Sequence, residues 1–221
     1  MKIRILLLGL AMALAVGVQA QKKDITKFMG IPIDGTKTAM IQKLKAKGFT
    51  YNAKMDRLEG EFNGWNSYIK VVTNRNKVFR IYVRDANYMS EREIKRRFLK
   101  LVKQFMDNGK YEVSPNWTEQ YSFIDDNADI SAYNIEFLQL GDSVVMSKGI
   151  KSIISENYSE EEFNALSDKE KENVLGGARL LWIEDNVQNK SVWFKIHEFN
   201  GKYFLGLYYD NKYNEAHGED L

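Results

Sequence analysis

The chain carries two similar β-hairpin signatures, one in each half. In the first half, strand-forming runs flank Asn74-Arg75-Asn76, and in the second half they flank Asn200-Gly201. Aromatic and β-branched residues around polar turn formers are typical of antiparallel hairpins. Landmarks in and after the two hairpins match at one constant offset: Lys77-Val78-Phe79 with Lys202-Tyr203-Phe204, Asp85 with Asp210, and Tyr88 with Tyr213. This match favours an internal repeat.

Each half also opens with an amphipathic helix. Asp34-Gly35-Thr36 precedes Met40, Ile41 and Leu44, which share one helical face, and Gly48 lies where the helix is expected to stop. Ser90 and Glu93 have the spacing of a capping box ahead of a second apolar stripe. The sequence therefore predicts an α+β fold of two tandem helix-plus-antiparallel-sheet units packed as one body.

The unit boundaries follow from these patterns. We expect the first unit, together with the helix that follows it, to span residues 21–109, and the second to span 110–221. The second unit contains an extra helical segment, the insertion, at about 142–177. Its capping boxes, Ser159/Glu162 and Ser167/Glu170, predict two short helices that end at Gly176-Gly177. Leu180 to Ile183 is then predicted to begin the final strands.

The first twenty residues have the layout of a secretory signal peptide. Lys2 and Arg4 precede the apolar run from Ile5 to Val18, and Val18-Gln19-Ala20 gives a small-x-small cleavage site. The apolar run is short for a membrane span. We therefore expect residues 1–20 to be removed, leaving an exported protein, periplasmic or secreted, with no transmembrane anchor. The chain has no Cys, so packing and not disulfides must stabilise it.

Charge counts bear on the choice of partner. The chain has 32 basic and 30 acidic residues, and removal of Lys2 and Arg4 with the leader leaves 30 of each. A protein balanced in this way has no general attraction for nucleic acid. We expect the partner to be another envelope or extracellular protein. Basic residues between Arg92 and Lys103 leave open a third option, association with anionic lipid.

No motif for catalysis, cofactor binding or metal binding emerges. The only histidines, His197 and His217, lack the spacing of a zinc site, and no nucleophile motif or phosphate loop is present. We therefore name no catalytic residue, no metal ligand and no cofactor, and expect the protein to bind and not to react. The alternative is a periplasmic hydrolase that acts on glycan or peptide through carboxylates such as Asp210, Glu219 and Asp220.

Aromatic residues in or beside the strands are the candidate binding residues. Exposed aromatic side chains on a sheet are effective anchors for a protein partner. Tyr208 and Tyr209 are consecutive, so they must point to opposite sides of a strand. The candidates are Trp65, Trp193, Tyr208 and Tyr209.

Several segments resemble an uncharacterised family of exported bacterial proteins. They include residues 28–36, 40–49, 60–64, 72–78, 108–111, 191–194, 209–211 and 218–221. This resemblance implies no catalytic residue. More loosely, Gly35-Thr36 before Met40, together with the repeat, resembles the β-lactamase-inhibitor-like fold and the related small outer-membrane assembly factors. That likeness implies a function through protein contacts made by the sheet surface.

Overall fold

The computed structural model describes residues 24–117 and 128–216, so the expected leader lies outside the described residues. It contains five α-helices, ten strands and three short 3-10 turns in these ranges. The helices are α1 Lys37–Lys45, α2 Glu91–Met106, α3 Ser143–Asn157, α4 Glu160–Ala165 and α5 Asp168–Val187. The strands are β1 Lys27–Phe28, β2 Ile31–Pro32, β3 Thr50–Asn52, β4 Arg57–Phe62, β5 Trp65–Asn74, β6 Lys77–Asp85, β7 Tyr111–Val113, β8 Asn134–Gln139, β9 Lys190–Phe199 and β10 Lys202–Asn211. The 3-10 turns are Pro115–Trp117, Ile130–Ala132 and Lys212–Asn214.

Eight of the strands form one antiparallel sheet in the order β3-β4-β5-β6-β10-β9-β8-β7. Helix α1 precedes β3 to β6, and helix α2 precedes β7 to β10, so each half is a helix followed by four strands. The last strands of the two halves pair at the centre, with Val83 opposite Leu207. The α+β class and the two-unit architecture are thus confirmed, and the central pairing joins the units into one body.

Helices α1 and α2 cover the same side of the sheet, here called the helix face. Apolar residues of both helices belong to one buried cluster with alternate residues of the strands. Met40 of α1 and Phe98 of α2 are fully buried in it. The Ser90/Glu93 capping box begins α2 as predicted, and Thr36 caps α1. The other side of the sheet is called the open face.

A buried ion pair attaches α2 to the sheet. Asp85, the last residue of β6, accepts hydrogen bonds of 2.8 and 2.6 Å from Nε and Nη2 of Arg97. The same carboxylate accepts a 3.3 Å bond from the backbone N–H of Leu205. Asp85 therefore links both halves and α2 on the helix face.

The two aspartates that match in the sequence repeat, Asp85 and Asp210, do not occupy equivalent positions in the structure. The pairing of β5 with β6 shifts register between Val72 and Thr73. A register shift of one residue reverses the faces of all later side chains. Asp85 consequently lies on the helix face, whereas Asp210, its sequence match, bonds Arg80 on the open face.

The insertion is longer and more helical than predicted. Helices α3 to α5 occupy the connection between β8 and β9, and α5 runs through Gly176-Gly177 to Val187. The prediction of a strand at Leu180 to Ile183 is wrong. Ala178, Trp182 and Val187 are buried at helical spacing, with Trp182 and Val187 in a second apolar cluster that includes Leu138. None of the helices in the described ranges has both the length and the apolar character needed to cross a membrane.

Candidate functional site: the open face of the sheet

Three aromatic rings form a row across the centre of the open face. Tyr82 of β6 lies opposite Tyr208 of β10, which lies opposite Trp193 of β9. The Trp193 and Tyr208 rings stack with centroids 3.7 Å apart and an interplanar angle of 6°. Tyr82 stacks on the other side of Tyr208 at 4.7 Å and 23°. These three residues, the aromatic row, are partly exposed and spread over three strands.

A buried carboxylate fixes one end of the aromatic row. Asp210 is 3% exposed and accepts bonds of 2.6 and 2.7 Å from Nε and Nη2 of Arg80. Trp193 Nε1 donates to the same carboxylate at 2.8 Å. The Arg80 guanidinium also lies 5.4 Å from the Trp193 ring centroid and 5.3 Å from that of Tyr208. Charge-assisted bonds of this kind hold the rings in one orientation.

A second aromatic group surrounds Arg84, the next open-face residue of β6. Its guanidinium carbon lies 4.3 Å from the ring centroid of Phe204, 5.3 Å from that of Tyr88 and 5.6 Å from that of Tyr68. Tyr88 also stacks on Phe199 at 5.8 Å, and these two residues are 40% and 56% exposed. The open face therefore continues as aromatic surface to the end of the last hairpin.

His197 connects the two groups. Its Nε2 lies 2.7 Å from Tyr208 Oη, and its ring is parallel to Phe204 at 5.0 Å. Burial, reinforced by the charges of Lys195 and Arg84, lowers the pKa of His197 to about 4. The imidazole is therefore neutral at pH 7, and its unprotonated Nε2 can accept the Tyr208 hydroxyl proton in a hydrogen bond. Burial also raises the pKa of Tyr208, which keeps that phenol protonated as a donor.

The insertion forms a wall at one end of the open face. Arg179 of α5 bonds Glu112 of β7, with Nη2 to Oε2 at 2.5 Å. A cavity of about 380 Å³ lies between α5 and the sheet, lined in part by Glu136, Leu138 and Ile183. Glu136 is opposite Trp193 in the β8–β9 pairing. The aromatic row and the cavity are thus neighbouring parts of the open face.

The four predicted binding residues do not share one surface. Trp193 and Tyr208 lie together on the open face. Tyr209 is 4% exposed and packs in the core on the helix face, so it offers no contact area. Trp65 is 36% exposed but lies on the helix-face side, with the Arg97 guanidinium 4.1 Å from its ring centroid.

Sequence reasoning missed the contribution of β6. Tyr82 and Arg84 alternate with buried Ile81 and Val83, and this period-2 pattern places them on the face opposite the core. The pattern was readable in the sequence. Only the pairing of β6 with β10, however, brings Tyr82 beside Tyr208.

The carboxylates considered for hydrolysis are placed as follows. Asp210 is engaged by Arg80 and Trp193, and Glu219 and Asp220 lie outside the described residues. Among the described residues, every carboxyl group with a shifted pKa has a lowered one. Asp56, which accepts a hydrogen bond from Lys37, is an example. A general acid for glycosidic cleavage requires the opposite shift.

Comparisons with known proteins give no match. No protein-family model, no curated protein and no solved structure matches this chain. The function must therefore be argued from the site itself.

Proposed function

We propose that this protein is an exported, non-enzymatic binding or inhibitory module of the cell envelope that contacts another protein through its open face. The single observation behind the proposal is the aromatic row Tyr82–Tyr208–Trp193, stacked and partly exposed at the centre of the sheet. The aromatic row lies between the Tyr88–Phe199 ring pair, near the end of the β9–β10 hairpin, and the wall formed by α5.

The composition of this surface supports a protein partner. Binding energy in protein interfaces is concentrated in Trp, Tyr and Arg residues. The open face presents these types together: the aromatic row, Tyr68, Tyr88, Arg80 and Arg84. Stacking and the Asp210 bonds fix the rings before any partner arrives, so little side-chain entropy is lost on binding.

The looser resemblance stated above agrees with this proposal. Proteins of the β-lactamase-inhibitor-like fold and the related assembly factors are expected to bind through the surface of a sheet. In this chain the open face of the central strands is the corresponding kind of surface. A fold can carry many unrelated functions, so the aromatic row is the physical support for the proposal.

Export is part of the proposal. Its support is the pattern of residues 1–20, with Lys2 and Arg4 before the apolar run and Ala20 at the cleavage position. Amino-terminal sequencing of the protein from its native host should give Gln21 as the first residue. Retention of Met1 on protein in the cytoplasm would contradict it.

The binding proposal is tested by comparing variants in affinity capture. The purified protein and a Tyr82→Ser/Tyr208→Ser variant are immobilised and exposed to envelope extract. The control is Met55→Ser/Met106→Ser, which removes apolar side chains that are 51% and 44% exposed, one in the β3–β4 turn and one on α2, away from the open face. We expect a partner whose recovery falls by about tenfold or more with the tyrosine variant and is unchanged with the control.

The result that contradicts the proposal is equally clear. Circular dichroism and urea unfolding first establish that both variants are folded. If every protein captured by the wild type is captured equally by the folded tyrosine variant, the open face is not the binding surface.

A further inference from the structure

We propose that the partner presents an acidic polypeptide segment to the open face, where Arg84, Lys195 and Lys70 receive its Asp or Glu carboxylates. This inference rests on the proposed function and specifies the chemistry of the partner. It comes from the cations of the open face that form no salt bridge among the described residues.

Most charged residues of the open face are neutralised within the protein. Arg57 pairs with Glu59 at 2.8 Å, and Arg80 pairs with Asp210 at 2.6 Å and with Glu215 at 3.8 Å. At the other end, Lys212 pairs with Glu136 at 3.2 Å and Arg179 with Glu112 at 2.5 Å. These pairs need no partner charge.

Three cations differ from this pattern. Within residues 24–117 and 128–216, Lys70, Arg84 and Lys195 form no salt bridge, although the charge of Lys70 contributes to the lowered pKa of Asp56. The histidine near them, His197, is neutral at pH 7 and adds no charge. These three cations outnumber Glu215, the second acid at Arg80, so the centre of the open face has an excess of positive charge, although the chain without its leader is balanced.

The sheet places these cations around the aromatic row. Arg84 and Lys195 lie on either side of Gly206, one on β6 and one on β9. Lys70 of β5 lies opposite Tyr82. Neighbouring strands are about 4.8 Å apart, so Arg84 and Lys195 start from backbones about 10 Å apart. A carboxylate placed above the rings between them is within reach of both long side chains.

Arg84 is held in position to bind a carboxylate. Its guanidinium packs on the Phe204 ring, and its Nε donates to the Asp85 carbonyl oxygen at 3.2 Å. Neither of its Nη groups donates a hydrogen bond to an acceptor among the described residues. A planar guanidinium fixed by stacking, with free Nη donors, matches carboxylate geometry and loses little entropy on binding.

The surface fits an acidic protein segment better than a polyanion. Nucleic acid or an anionic bilayer is bound by many cations that together neutralise a charged surface. Here three cations lie among Tyr, Trp and Phe rings, which would bind apolar side chains beside a carboxylate. We therefore expect a loop or strand with Asp or Glu next to aromatic or aliphatic residues.

The probe for this proposal is a display library of short random peptides, selected on the purified protein. We expect the selected peptides to be enriched in Asp or Glu next to apolar residues. The best one is then synthesised in two forms, as selected and with each Asp or Glu replaced by Asn or Gln. By titration calorimetry, the amide form should bind about tenfold more weakly or worse.

Protein variants then identify the cations. Arg84→Gln/Lys195→Gln should weaken the acidic peptide by about tenfold or more and remove most of its salt dependence. The matched control is Lys54→Gln/Lys169→Gln, since these two lysines are exposed and lie off the open face. The control should bind within about twofold of wild type. Urea unfolding checks that the cation variant is folded.

In these experiments the acidic-partner proposal can fail while the proposed binding function of the open face is upheld. If the amide peptide binds as well as the acidic one, yet Tyr82→Ser/Tyr208→Ser abolishes binding, the acidic partner is disproved and the open face remains the binding surface. If no selected peptide depends on the two tyrosines, both proposals fail. Binding to phosphatidylglycerol vesicles without binding to any acidic peptide also overturns the inference.

Discussion

Gly206 occupies the centre of the open face, and its missing side chain makes room for two rings. An added Cβ there would lie 2.8 Å from His197 Nε2 and 3.1 Å from Tyr82 Cε2. Contacts this short force neighbouring atoms to move. The absence of a side chain on β10 therefore lets His197 reach Tyr208 and lets Tyr82 stack beside it. The missing side chain of this one glycine therefore allows the rings of the open face to pack together.

His197 makes stability depend on pH. Because its folded pKa of about 4 lies below the usual value near 6.5, the unfolded chain binds a proton in this window and the folded protein does not. The His197 contribution is constant above pH 6.5. It decreases the free energy of unfolding by about 1 to 3 kcal/mol as the pH falls from 6.5 to 4.

Urea unfolding at several pH values tests this. His197→Gln should lose less stability than wild type between pH 6.5 and 4, since glutamine does not titrate, and carboxylate effects common to both proteins cancel in the comparison. Equal pH slopes for the two proteins would show that His197 is not held neutral in the folded state.

At the scale of single elements, α3 and α5 approach closely at one glycine. An added Cβ on Gly149 of α3 would lie 2.2 Å from Trp182 Nε1 and 2.3 Å from Cδ1. Trp182 is 6% exposed in the cluster that packs α5 on β8. The contact between the two helices therefore depends on a residue without a side chain.

Two glycine-to-alanine substitutions should have opposite effects in these helices. Gly149→Ala should destabilise the insertion by about 1 to 3 kcal/mol, because the methyl group displaces a packed indole. Gly177→Ala on α5 has no atom within 4 Å of the new Cβ and should stabilise by about 0.5 to 1 kcal/mol through helix propensity.

Hydrogen exchange of the α5 amides measures both effects, since it detects opening of the insertion alone. Slower exchange in Gly149→Ala than in wild type would contradict the close contact with Trp182.

For the whole molecule, the two units and the insertion differ in how they are attached. The units share the β6–β10 pairing and one continuous core. The insertion has its own apolar cluster, which contacts the sheet through Leu138 and Leu140. The main core contains no residue of α3, α4 or α5.

We therefore expect the sheet to fold without the insertion. Leu138 lies opposite Ser191, so the ends of β8 and β9 are adjacent, and Asn-Gly in place of residues 140–189 can join them as a hairpin. The shortened protein, with Leu138→Ser to avoid an exposed leucine, should unfold cooperatively in urea. Its m-value should be smaller because less surface is buried. Loss of cooperative unfolding would show that the insertion is part of the main core.

Local patterns predicted much of the fold. The capping box at Ser90 and the Asn200-Gly201 turn each reflect interactions within a few residues. The prediction was wrong at Leu180 to Ile183, because a short apolar run is compatible with either a strand or a helix. Trp182 lies in a helix because the insertion packs it against α3 and β8.

The candidate site was only partly accessible from the sequence. The alternation of Tyr208 and Tyr209 showed that one of them faces away from the core, but which one depends on where α1 and α2 pack. Trp65 and Tyr209 lie on the helix-face side for the same reason. Which residues surround Tyr208 depends on strand pairing across the chain, which no local pattern specifies.

Local sequence patterns specify the class of fold, the two-unit plan, the hairpin turns and four of the helix starts, because each depends on short-range periodicity and capping. Long-range packing determines which face of the sheet is left open, which aromatic rings meet on it and which cations form no salt bridge. These features arise from the β6–β10 register and from the side on which the helices pack, and both join residues far apart in the chain.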